Sequence, residues 1–66
     1  MAKTHYEELL KRHGYCEGLS GMNEDGELVI VSIDHERAVI KTSQHNGWIR
    51  TNIYHKDGTS EELFDH

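Results

Sequence analysis

The sequence predicts an α+β fold: an N-terminal helix packed on an antiparallel β-meander of three or four strands. Three observations predict it. A helix-capping signal opens the chain and is followed by apolar residues at helical spacing. Short β-branched segments then recur between turn signals. None of those segments is interrupted, because the chain contains no proline. A length of 66 residues points to a single small domain, residues 1–66.

The helix comes first. Thr4-His5-Tyr6-Glu7 matches a capping box, with a Thr N-cap and a Glu three residues later. Tyr6, Leu9, Leu10 and His13 follow at i, i+3, i+4 and i+7, which places them on one face. Lys11 and Arg12 suit the negative end of the helix dipole, and Gly14 suits its C-terminal cap. The predicted helix runs from about His5 to His13.

Tyr15 to Met22 holds glycines that weaken any regular element, so at most a short, irregular strand is expected over Cys16 to Met22. Asn23-Glu24-Asp25-Gly26 reads as a turn. Glu27 to Asp34, Ala38 to Gln44 and Trp48 to His55 read as strands. Asp34 to Arg37 joins the first pair. Asn46-Gly47 joins the second, as a two-residue hairpin loop of type I′. Thr59-Ser60-Glu61-Glu62 is a second capping box and favours a helical turn through Phe64, with a further strand as the alternative.

The turns set a register, and the register assigns the faces. A two-residue Asn46-Gly47 loop pairs Ser43 with Arg50, Lys41 with Asn52 and Val39 with Tyr54. An even loop at Asp34 to Arg37 pairs Ile33 with Ala38 and Val31 with Ile40. The expected core is then Leu9, Leu10, Val29, Val31, Ile33, Ile40, Ile49 and Ile53. The face away from it is expected to carry Ser43, Lys41, His45, Trp48, Arg50, Asn52 and Tyr54, together with Leu28, Ile30 and Val39.

Composition narrows the function classes. The net charge is -5, with 7 Lys and Arg against 12 Asp and Glu, which argues against general binding to a phosphate backbone. The longest apolar run, Leu28 to Val31, is far too short to span a membrane. With no signal-peptide pattern and a single cysteine, a cytoplasmic protein is expected. Charge is also segregated along the chain. Arg37 to Lys56 contains four basic residues and no acid, while the segments on either side of it are acidic.

Two binding surfaces follow. The hairpin residues Trp48, Arg50, Tyr54, Lys41, Asn52 and His45 supply the residue types enriched at binding hot spots. The carboxylates Glu17, Glu24, Asp25, Glu27, Asp57, Glu61, Glu62 and Asp65 supply an acidic surface able to enter a basic groove, as a nucleic-acid mimic does. Six histidines raise the question of a metal, but no His-x-x-x-His or Cys-x-x-Cys spacing supports one, and no metal or cofactor is expected. His35 and His55 alone fall at one edge of the meander. No motif surrounds Cys16 that would make it a nucleophile, and no glycine-rich loop is present to cradle phosphate. The expected function is therefore non-enzymatic: a small protein-binding module. Small size, acidity and the lack of catalytic motifs are shared with bacteriophage and mobile-element proteins that bind and inhibit host enzymes. Single-stranded nucleic-acid binding through the basic-aromatic hairpin 37–56 is the alternative. A homodimer is also expected, because the strip Leu28, Ile30, Val39, Trp48 and Tyr54 is hard for a chain of this size to cover.

Overall fold

A computed structural model describes residues 4–44 and 47–65. It has one helix, α1 (His5–His13), and five strands: β1 (Cys16–Met22), β2 (Leu28–Ile33), β3 (Arg37–Ser43), β4 (Ile49–His55) and β5 (Ser60–Asp65). The strands form one antiparallel sheet in the order β1-β2-β3-β4-β5. The α+β class is as expected, but the sheet has five strands rather than three or four. Both segments left open by the sequence are strands: β1, where at most a short, irregular strand was expected, and β5, the tail, where a helical turn was favoured over a fourth strand. A capping box promises only a helix start. Ser60 to Asp65 has no apolar stripe at helical spacing to continue one, and pairing with β4 satisfies its backbone instead.

The helix forms where its signals place it. Thr4 Oγ1 accepts a hydrogen bond from the Glu7 amide at 3.1 Å, and the Gly14 amide donates to the Leu10 carbonyl at 2.7 Å. Its apolar side packs over β3 and β4. Tyr6, Val31, Ile33 and Ala38 are buried, with Leu9, Leu10, Cys16, Val29, Ile40 and Tyr54 packed around them. Ala38 has no exposed surface, and a residue this small lets the helix approach the sheet closely. The Tyr6 hydroxyl reaches past it to donate to the Asp34 carbonyl at 2.6 Å.

Three of the hairpin turns share one design. Asn23 and Glu27, Gln44 and Trp48, and His55 and Thr59 each flank a three-residue loop. In each, the amide of the last loop residue, a glycine, donates to the carbonyl of the first flanking residue: Gly26 to Asn23, Gly47 to Gln44 and Gly58 to His55, all at 3.1 Å. Those glycines have φ of 79°, 98° and 97°, the left-handed region that completes a three-residue loop with a G1-type bulge. The fourth turn differs. Asp34 pairs with Arg37 across two residues, and Asp34 Oδ1 accepts from the Glu36 and Arg37 amides at 2.8 Å each.

The pairing of Gln44 with Trp48 corrects the expected register, while the expected type I′ turn at Asn46-Gly47 falls partly outside the described residues. The fourth turn gives the expected pairs Ile33 with Ala38 and Val31 with Ile40. Between β3 and β4, however, Val39 pairs with Ile53, Lys41 with Thr51 and Ser43 with Ile49. That is one residue away from the two-residue loop, and a one-residue slip moves every β4 side chain to the other face. Ile49 and Ile53 therefore leave the expected core, and Ile49 is 44% exposed. Trp48, Arg50, Asn52 and Tyr54 join the helix side of the sheet. Lys41, Leu28, Ile30 and Val39 remain on the opposite side, now beside Ile49 and Ile53.

Candidate functional site

The sheet thus has a helix face and an open face. The helix covers the helix face near the Asp34 turn. The end near Trp48 extends beyond it, and there the backbone register brings Thr42, Arg50 and Phe64 into one row across β3, β4 and β5. The Trp48 and Phe64 rings lie 5.8 Å apart and nearly parallel, and the Arg50 guanidinium stands 5.2 Å from the Trp48 ring centre. A chain of polar contacts fixes this cluster from the other side. Trp48 Nε1 donates to Gln44 Oε1 at 3.1 Å. Gln44 Nε2 donates to Glu27 Oε2 at 2.9 Å, and Asn23 Nδ2 donates to Glu27 Oε1 at 2.8 Å. The indole is therefore oriented by contacts that run back to the β1–β2 turn. Arg50 and Phe64 are exposed and Trp48 is half-buried.

The other hairpin residues are spread out. Tyr54 lies under the N-terminal end of the helix, with its ring 5.2 Å from that of His5. Asn52 pairs with Ile40 between Tyr54 and Arg50 on the same face. Lys41 is on the open face, so the structure does not join it to Trp48 and Arg50 as expected. His45 lies outside the described residues.

Nor do the carboxylates form one surface. Glu24 and Asp25 sit in the β1–β2 turn, and Glu17 lies on β1. Glu61, Glu62 and Asp65 lie on β5, the opposite edge of the sheet, about 19 Å away at the usual strand spacing. Asp57 is in the β4–β5 turn, and Glu27 is engaged by Asn23 and Gln44. Two carboxylates are held well ionised by their turns. Asp34 has its pKa lowered by the Glu36 and Arg37 amides, and Asp57 by the Thr59 hydroxyl and amide. Burial, followed by the nearby Tyr15 and Asp34, raises the pKa of Tyr6.

His35 and His55 do not share a site. His35 packs against Tyr15 with the ring centres 4.4 Å apart and the planes tilted, and His55 pairs with Glu61 at 3.0 Å. Among the described residues, no group of three or more His, Cys, Asp or Glu side chains could hold a metal ion. No helix among them is long and apolar enough to cross a membrane.

Sequence reasoning missed Phe64, Gln44 and the orienting role of Glu27. The signal for Phe64 was present: Asp57-Gly58 repeats Asp25-Gly26, and a shared turn implies a shared hairpin. No family model matches the chain, and no curated protein or solved structure is significantly similar to it.

Proposed function

We propose that this chain is a non-enzymatic module that acts by binding another protein, with Trp48, Arg50 and Phe64 as its anchor. The observation that carries this reading is the cluster itself. A Trp, an Arg and a Phe are stacked on one another beyond the helix, and the indole is oriented by Gln44 and Glu27. Aromatic residues and arginine held rigidly at a partly exposed position are typical anchors, because little entropy remains to be lost on binding. Asn52 and Glu62, paired in the adjacent row, supply a polar rim. Inhibition of a target enzyme is one outcome of such binding, and its carboxylates would then steer association with a basic target.

Nucleic-acid binding is less well supported by this arrangement. Lys41 stands on the other face, and Arg50 is left as the basic residue beside the aromatic pair, with Glu62 in the adjacent row and Glu27 hydrogen-bonded to Gln44.

The test is capture from lysate on the tagged chain, followed by affinity measurement with the captured protein. Trp48 is the sole tryptophan, so its fluorescence reports binding at the anchor directly. Trp48→Ala and Arg50→Ala are each expected to weaken binding by about 2 kcal/mol or more. A partner that binds both variants as tightly as the parent chain contradicts the assignment. Salt-sensitive binding of single-stranded RNA or DNA that is lost in Trp48→Ala would establish the nucleic-acid reading in its place.

A further inference from the structure

The open face is lined by apolar residues from all five strands, and no element of the described chain covers it. Its charges are arranged rather than scattered. Lys41 stands in the middle of β3, with no ion pair among the described residues. In the same row, Lys41 pairs with Thr51 of β4, and Thr51 pairs with Leu63 of β5. Glu61 and Asp65 lie two residues to either side of Leu63, about 7 Å along the strand in each direction. Ile53 and Ile49 occupy the matching positions on β4, paired with Glu61 and Asp65 respectively.

We propose that two copies of this chain pack their open faces together about a two-fold axis that runs along β4. β3 and β5 flank β4 at one strand spacing each, so this axis exchanges them. Each copy's Lys41 then faces the second copy's Leu63, between its Glu61 and Asp65. Ile53 meets Ile53 and Ile49 meets Ile49 on the axis. Facing sheets stand about 10 Å apart, a gap that a lysine side chain crosses to reach a carboxylate. Glu61 already contacts His55, and a carboxylate has acceptor sites left for a second donor.

Two further arguments favour a second copy as the occupant. The β3–β5 part of the face is self-complementary under this one operation, which is what an isologous interface requires. Among the described residues only four hydrophobic side chains are buried, a small core for a domain, and a partner subunit supplies further burial. The axis lays β3, β4 and β5 of one copy on β5, β4 and β3 of the other, and three strands of six or seven residues give an overlap of about 300 Å², well below the roughly 800 Å² per partner of a standard interface, so a weak dimer with a micromolar or higher dissociation constant is expected. Trp48 and Arg50 lie on the opposite face. The dimer interface therefore does not involve Trp48 or Arg50, and the dimer presents two copies of the anchor.

The test is sedimentation equilibrium across micromolar concentrations at low and moderate salt, with far-UV circular dichroism confirming the fold of each variant. The expected mass is twice 7.6 kDa at the upper concentrations. Lys41→Glu should raise the dissociation constant about 100-fold, because the two-fold axis counts the repulsion twice. Adding Glu61→Lys and Asp65→Lys to the same chain should restore dimerisation to within about tenfold of the parent. Trp48→Ala should leave the dissociation constant unchanged, which separates this interface from the protein-binding anchor. A monomer at every concentration overturns the proposal. So does a dimer indifferent to Lys41→Glu, or one that the triple charge exchange fails to restore.

Discussion

Ile33→Ala probes the part of the molecule on which everything else rests. Ile33 is only 2% exposed and sits among Tyr6, Val31 and Ala38. The substitution removes three carbons, which at about 0.8 kcal/mol per buried methylene is about 2.4 kcal/mol. Tyr6 is held by its bond to the Asp34 carbonyl and cannot easily fill the space, so a residual cavity raises the cost to about 3–4 kcal/mol. A chain of this length has a total stability of about 3–10 kcal/mol, so the variant loses a third of it or more. The midpoint of thermal unfolding should fall by about 12–30 °C. Urea unfolding followed by circular dichroism, at one protein concentration, measures the difference. Leu19→Ala is the control. Leu19 lies on the same face of the sheet, but on the β1 edge and 50% exposed, so its loss should cost less than about 1 kcal/mol. A cost under about 1 kcal/mol for Ile33→Ala, or an equal cost for Leu19→Ala, contradicts this placement of the core.

Four further outcomes are expected. Gly26→Ala, Gly47→Ala and Gly58→Ala should each destabilise the chain by about 1–2 kcal/mol in urea unfolding, because each forces an L-residue into the left-handed region. Stability should decline in acid. The lowered pKa values of Asp34 and Asp57 contribute stability that is present above about pH 4 and lost as pH falls through the folded values, so Asp34→Asn and Asp57→Asn should flatten the acid limb of the urea-midpoint profile. Tyr6 gives the opposite limb. Its raised pKa makes its contribution complete below about pH 10 and lost as pH rises through the folded value, so Tyr6→Phe should lower stability at neutral pH and remove that alkaline decline. Gln44→Ala should leave the fold intact while changing the Trp48 emission spectrum, since the indole loses the acceptor that orients it.

The helix and the β2–β3 pairing were legible in the sequence because local chemistry determines both. Thr4, the Tyr6-Leu9-Leu10 spacing and Gly14 mark the helix, and the even loop after Asp34 fixes one register. The β3–β4 register was not legible from Asn46-Gly47 alone. That dipeptide serves a two-residue loop and a three-residue loop equally well, since both place glycine at positive φ. Hydrophobic alternation did not arbitrate. β4 carries Ile49 and Ile53 on one face and Trp48 and Tyr54 on the other, so either face passes for a core. The decisive information was comparative, in the three turns that share an Asp-Gly or Asn-Gly step. The candidate anchor was half legible for the same reason. Trp48 and Arg50 were identified, but their company was not, because Phe64 reaches them only through a strand that a capping box disguised.

The pairing of β3 with β4 decides which side chains share each face, and with it the anchor, the open face and the core. Cross-strand Hα–Hα nuclear Overhauser effects read this pairing directly, being strong only between residues of a non-hydrogen-bonded pair, whose Cα atoms lie about 4.5 Å apart. Gln44 and Trp48 form a hydrogen-bonded pair, so counting along the ladder makes Lys41–Thr51 and Val39–Ile53 non-hydrogen-bonded. Strong effects between Val39 and Ile53 and between Lys41 and Thr51 are the expected result. Strong effects between Ile40 and Ile53 and between Thr42 and Thr51 would instead place Ile49 and Ile53 under the helix and contradict the account.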